Sequence, residues 1–113
     1  MNYDDMTAGP EMDRLVAEKV MGWELCEHNG LLWKEEPESW GDQTPWTPST
    51  NIAHAWEVVE SLVRRQLVVR VSIDFIATQC RIARSDFGDE VANVVDPSAP
   101  LAISRAALKA SEP

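Results

Sequence analysis

Four side chains in this sequence are of the kind that hold a metal ion: Cys26, His28, His54 and Cys80. Cys26 and His28 alternate onto one face of an extended run, while His54 and Cys80 stand apart from them. No Cys-x-x-Cys or closely spaced His pair supplies the converging ligands that zinc needs. Glu57 and Glu60 could do acid–base work if they were buried together. Their place on an amphipathic helix, with Arg64 one turn beyond Glu60, is that of a solvated face instead. Ser49 lies near His54 but lacks an evident third partner for nucleophilic catalysis. Gly-rich phosphate loops and Gly-x-Ser-x-Gly elbows are absent from the sequence. A metal-dependent hydrolase is therefore the weakest reading, and the expectation is a protein without catalytic residues, metal or cofactor.

Recognition is the stronger reading. Arg70 and Arg81 fall on the wetter faces of neighbouring strands, where two guanidiniums can receive an anionic ligand or a partner's carboxylates. The competing arrangement pairs them with Asp74, Glu57 or Glu60. The chain also carries five tryptophans. Trp23 and Trp56 occupy periodic positions expected in the core. Trp33, Trp40 and Trp46 are either core and clamp residues or exposed anchors of the kind that dominate interfaces. Arg70, Arg81, Trp40 and Trp46 are thus the candidate binding residues.

The elements that must position these groups follow from periodicity. Glu11 to Met21 reads as a helix, with Pro10 at its first turn and Gly22 as its stop. Trp23–Glu27 and Leu31–Lys34 flank His28-Asn29-Gly30, a hairpin signal because both turn residues must reach positive φ. Residues 35–49 contain Pro37, Pro45, Pro48 and Gly41 and read as a long loop, either clamped over the domain or displayed for a partner. Ser49, Thr50 and Asn51 offer capping oxygens to a helix over Ile52–Arg65, whose apolar face is Ile52, Ala55, Trp56, Val59, Leu62 and Val63.

The period then changes from 3.6 to 2. Leu67 to Phe75 alternates as a strand, Thr78 to Arg84 is its antiparallel partner with Cys80 and Ile82 inward, and Val91–Val95 is a further short strand. Asp96-Pro97-Ser98 opens a last helix over Ala99–Lys109, rich in alanines that allow close packing. The fold class is α+β, an α/β/α-type sandwich with an antiparallel or mixed sheet of about four to five strands packed by three helices. Uncovered sheet edges could pair across a two-fold, and a homo-oligomer is expected.

Composition bounds the partners. The 113 residues suffice for a single domain, 1–113, with residues 1–9 as a mobile arm or cap. Ten basic against nineteen acidic side chains give a formal net charge of −9, which argues against non-specific nucleic-acid binding and against adsorption to anionic membranes. Residues 1–42 hold eleven acids and three bases, so this stretch carries −8 of that total. The acids read as a solvated face, with a surface for a basic partner as the alternative. No apolar run has the length of a membrane span, the first ten residues do not read as a secretory signal, and two cysteines fit a reducing cytoplasm.

Three blocks carry a family resemblance: Met12-Asp13-Arg14-Leu15-Val16-Ala17-Glu18-Lys19-Val20-Met21-Gly22-Trp23, then Pro48-Ser49-Thr50-Asn51-Ile52-Ala53-His54-Ala55-Trp56-Glu57, and Pro100-Leu101-Ala102-Ile103-Ser104-Arg105-Ala106-Ala107-Leu108. Together they resemble the phage ABA sandwich domain family of tailed bacteriophages and prophages, over nearly the whole span from Met12 to Ala110. The resemblance implies an α/β/α sandwich, a phage setting in the bacterial host cytoplasm, and no transferred catalytic residues. With it, the expected function is that of a non-enzymatic accessory protein. It would antagonise host defence by gripping a host protein or by sequestering a small anionic signalling nucleotide. A structural or assembly protein of the virion is the alternative.

Overall fold

The computed structural model of the chain describes residues 3–28, 31–33, 45–85 and 88–112. Its elements are α1 (Pro10–Leu15), β1 (Cys26–His28), β2 (Leu31–Trp33), α2 (Ile52–Arg64), β3 (Val68–Ile73), β4 (Thr78–Ser85), β5 (Gly88–Asp96) and α3 (Ala99–Ser111). The α+β class read from periodicity holds, with three helices and five antiparallel strands among the described residues. The strands divide into a two-stranded pair, β1–β2, and a three-stranded sheet in the order β3–β4–β5.

The first helix runs as expected but changes pitch midway. Val16–Met21 is π-helical, and Gly22 then adopts the left-handed conformation at φ 74° that glycine reaches without a Cβ penalty. Its N–H and that of Trp23 both close on the Ala17 carbonyl. The strand expected from Trp23 begins only at Cys26, because Trp23 turns to meet the edge of Trp46 at 5.0 Å between ring centroids. The Asn29-Gly30 turn itself lies outside the described residues, as do residues 34–44 of the long loop.

Of the three capping oxygens offered ahead of α2, Asn51 Oδ1 is the one used, accepting the N–H groups of Ala53 and His54. The side of α2 that packs into the fold is Ala55, Val58, Val59 and Leu62. This corrects the sequence reading of Trp56 as core: Ile52, Trp56 and Val63 are 47%, 48% and 53% exposed. The apolar arc of α2 is wider than the surface that α3 and β3 present to it, so its far flank stays out.

α3 is the centre of the molecule. Ala102, Ile103, Ser104, Ala106, Ala107 and Leu108 are all buried, and the helix packs against β4, β5, α2 and the π-helical turn. Its alanines permit that many close neighbours. From the sheet, Cys80, Ile82, Ala92 and Val94 face it.

The described part of the N-terminal segment makes side-chain contacts with the last helix. Tyr3 is buried and donates from its hydroxyl to Glu112, Lys109 pairs with Asp4 at 2.7 Å, and Arg105 reaches both the Met6 carbonyl (2.7 Å) and Asp96 (2.8 Å). Strand end, last helix and amino-terminal turn are thereby tied together.

Candidate functional site

Antiparallel pairing sets Arg70 opposite Arg81 and Arg81 opposite Asn93, forming one row across β3, β4 and β5. The neighbouring row on the same face is Ser72, Gln79 and Val95. Because side chains alternate across a strand, this face points away from α3, and no helix covers it among the described residues. Arg70, Ser72, Arg81, Asn93 and Val95 are exposed.

Like charges directly opposite one another oppose strand pairing, and the structure relieves this in part. Arg81 Nε donates to Glu90 Oε1 at 2.8 Å, while Gln79 donates to Asn93 Oδ1 at 3.0 Å. Arg70 is also engaged by a neighbouring group. Half-exposed ion pairs such as Arg81–Glu90 contribute little stability, so the guanidinium can exchange its carboxylate for an incoming anion at small cost. The face offers two cross-strand guanidiniums flanked by amide and hydroxyl side chains, a donor set matched to phosphate or carboxylate oxygens.

The other candidates part company with this face. Trp46 is 1% exposed and belongs to the core, which removes it as a displayed anchor. Its ring stacks on His54 at 5.3 Å, and its backbone N–H donates to the Leu32 carbonyl at 2.7 Å. Trp40 lies outside the described residues.

Ser49 does acquire an acidic neighbour that spacing could not reveal, since its N–H donates to Asp13 Oδ1 at 2.8 Å. The three groups are nevertheless wired as a structural knot. Ser49 Oγ is buried against Gly9, accepting its N–H at 2.9 Å, and His54 Nδ1 accepts the Thr47 N–H at 3.0 Å. Burial pushes the Asp13 carboxyl above its ordinary range, opposed by the Ser49 hydrogen bonds and the nearby His54.

The thiol of Cys80 is pushed up to about 11 by burial beneath the sheet, the environment of an inert core cysteine. Cys26 belongs to the other sheet, and the His28 side chain lies outside the described residues. No three His, Cys, Asp or Glu side chains converge on a metal position among the described residues. Glu60 pairs with Arg64 along the exposed flank of α2 at 3.7 Å, while Glu57, beside it, lines a small polar cleft with Met21 and Trp23.

Two apolar surfaces were not anticipated from sequence. One is the Ile52–Trp56–Val63 flank of α2. The other is the tip of the β3–β4 hairpin, where Phe75 is 98% exposed and Ile76 69%. The signal for the tip was present in Asp74. Its Oδ1 accepts the N–H groups of Ile76 and Ala77, a side-chain turn that ends the alternation before Phe75.

Neither the curated proteins nor the solved structures contain a match to the chain. The model of the phage ABA sandwich domain matches residues 14–108, from within α1 to the end of the buried part of α3. That span takes in all five strands and the row built on Arg70 and Arg81. The chain belongs to the phage ABA sandwich domain family.

Proposed function

We propose that this phage protein acts by binding in the cytoplasm of the bacterial host, sequestering a small anionic nucleotide of the host's signalling or defence chemistry on the open face of its three-stranded sheet. The observation that carries the reading is the cross-strand pair Arg70 and Arg81 on a face that no helix covers among the described residues. Two guanidiniums at the spacing of adjacent strands can each engage a phosphate through parallel N–H donors. The acidity concentrated in residues 1–42 lies outside β3–β5. An overall charge of −9 makes extended nucleic acid an unfavourable ligand, while one or two phosphates need only local complementarity.

Thermal shift and native mass spectrometry against a panel of cyclic dinucleotides and ADP-ribose derivatives test the proposal. A bound mass for at least one compound is expected, with a rise in melting temperature that Arg81→Glu removes. If no compound binds while a host protein is retained from lysate by the wild-type chain, the nucleotide reading is overturned in favour of a protein partner. Abundant recovery of the chain from purified virions would instead indicate an assembly role.

A further inference from the structure

The three-stranded sheet ends on one side in β3, whose outer edge pairs with no strand among the described residues. The hairpin shows which backbone groups lie along that edge. The Asp74 N–H donates to the Ala77 carbonyl at 3.1 Å, so the backbone of Asp74 faces β4, and by alternation that of Ser72 and Arg70 does too. The N–H and C=O groups of Val69, Val71 and Ile73 therefore point out along the open edge. Their side chains form the inner apolar row of β3, and its cover gives out along the strand. Val69 and Val71 pack partly against the core, whereas Ile73 is 64% exposed and Phe75, just beyond the strand, 98%. An edge of this kind is a template for another strand.

Charge and register select a second copy. When β3 is matched antiparallel with itself, outward-facing residues must meet outward-facing residues, which places the two-fold axis on a residue. With the axis at Ser72, Val71 meets Ile73 of the second copy and Arg70 meets its Asp74, each contact occurring twice. An axis at Arg70 sets that arginine against itself, and one at Val71 or Ile73 leaves both charges opposite neutral side chains. The Ser72 register also gives Arg70, already opposite Arg81 in its own sheet, a carboxylate on its other side. Asp74 is held for this contact, since its Oδ1 accepts the N–H groups of Ile76 and Ala77. The exposed Ile73 and Phe75 come beside Val71 and Val69 of the second copy, completing the row that each chain leaves bare. β5, at the other end of the sheet, offers no such match. It carries Asp89, Glu90 and Asp96 without a base, and a bulge interrupts its register with β4 at Ile82 and Ala83. Pairing through β3 thus leaves two blunted edges, and assembly stops at two copies.

We propose that β3 is a self-pairing edge: two copies of this chain join β3 to β3, antiparallel about a two-fold axis at Ser72, into one six-stranded sheet. The helices of both copies then lie on one side of the sheet and both open faces on the other. The joint rests on the edge of β3 and not on the anion site. Ile73→Pro separates the two, because it alters the edge and leaves Arg70 and Arg81 in place.

Sedimentation-velocity analysis of the full chain over about 1 to 500 µM tests this, because mass action must convert monomer to dimer across the series. The wild type is expected to dimerise. Ile73→Pro removes an outward N–H while sparing the β3–β4 ladder, and is expected to weaken association at least about tenfold. Ile73→Lys serves if that variant does not fold. Asp74→Asn keeps the turn oxygen but not the charge and is expected to weaken the dimer, whereas Trp56→Ser on α2 is expected to leave it unchanged. Cysteine pairing in a Cys26→Ser background reads the register. Opposed residues that share no hydrogen bonds lie about 4.5 Å apart at Cα, within disulfide reach. Ser72→Cys is therefore expected to link two chains on oxidation with diamide, and Arg70→Cys is not. A wild type that stays monomeric throughout, an Ile73→Pro dimer as strong as wild type, a dimer abolished by Trp56→Ser, or linkage through position 70 rather than 72 would each overturn the proposal.

Discussion

Asp13 allows opposing physical effects to be separated by two substitutions. Its carboxylate is 2% exposed and accepts the Ser49 N–H at 2.8 Å, fastening the segment ahead of α2 onto α1. Burial penalises the charge, whereas the hydrogen bonds and the nearby His54 favour it. The carboxyl is nevertheless raised above 3.8, so burial wins. Asp13→Ala removes the acceptor and leaves a buried N–H without its partner, a loss of about 1–3 kcal/mol. Asp13→Asn keeps an oxygen for that N–H and removes the buried charge, and its stability should lie within about 1 kcal/mol of wild type.

The pH dependence has a definite sign. A carboxyl that binds its proton more tightly when folded adds stability as pH falls through its folded value toward the unfolded one, and that gain disappears as pH rises again. Wild type should therefore gain on Asp13→Asn between neutrality and about pH 4. Urea denaturation followed by circular dichroism at several pH values measures both effects. If Asp13→Asn loses as much as Asp13→Ala, and wild type weakens relative to it on acidification, the charge is a net stabiliser and the reasoning fails.

Other perturbations probe the core and its ties. Trp46→Ala removes the ring that meets both Trp23 and His54, and chemical denaturation should show a loss of about 3–5 kcal/mol; a loss below about 1 kcal/mol would mean the ring is not core. Arg105→Ala breaks an ion pair to Asp96 whose side chains are 13% and 19% exposed and also frees the Met6 carbonyl. A loss of about 3 kcal/mol is expected by the same assay, and a neutral result would show that the N-terminal segment is not held there. Cys80, with its thiol raised from 9.0 to about 11, contributes stability that is complete below pH 9 and is lost as pH rises toward 11. Alkaline denaturation should be shallower in Cys80→Ala. Thiol labelling of the native protein should modify Cys26 well before the buried Cys80, and equal rates would contradict that burial.

The local signals in the sequence led to the correct elements wherever the deciding forces were local. The change of period after Arg65 marked the passage from α2 to β3, and the alternation of Cys80 and Ile82 gave the inner face of β4. That alternation also placed Arg70 and Arg81 on one face. Their direct opposition depended on where the hairpin turned, which Asp74 settles through its side-chain turn. Contacts distant in sequence had no comparable mark. Tyr3 is buried by reaching Glu112 at the other end of the chain, and Trp46 by Trp23 and His54. Trp56 was misplaced because periodicity reports how wide an apolar arc is, while neighbours decide how much of it they cover. The division of five strands into two sheets is likewise a tertiary outcome.

Calorimetric titration of the same nucleotide panel into wild type and Arg70→Ala/Arg81→Ala tests the central claim most directly. The account predicts saturable binding of at least one anionic nucleotide by the wild type, weakened at least about tenfold in the double variant while its fold is retained. Equal affinity in the two proteins would contradict it.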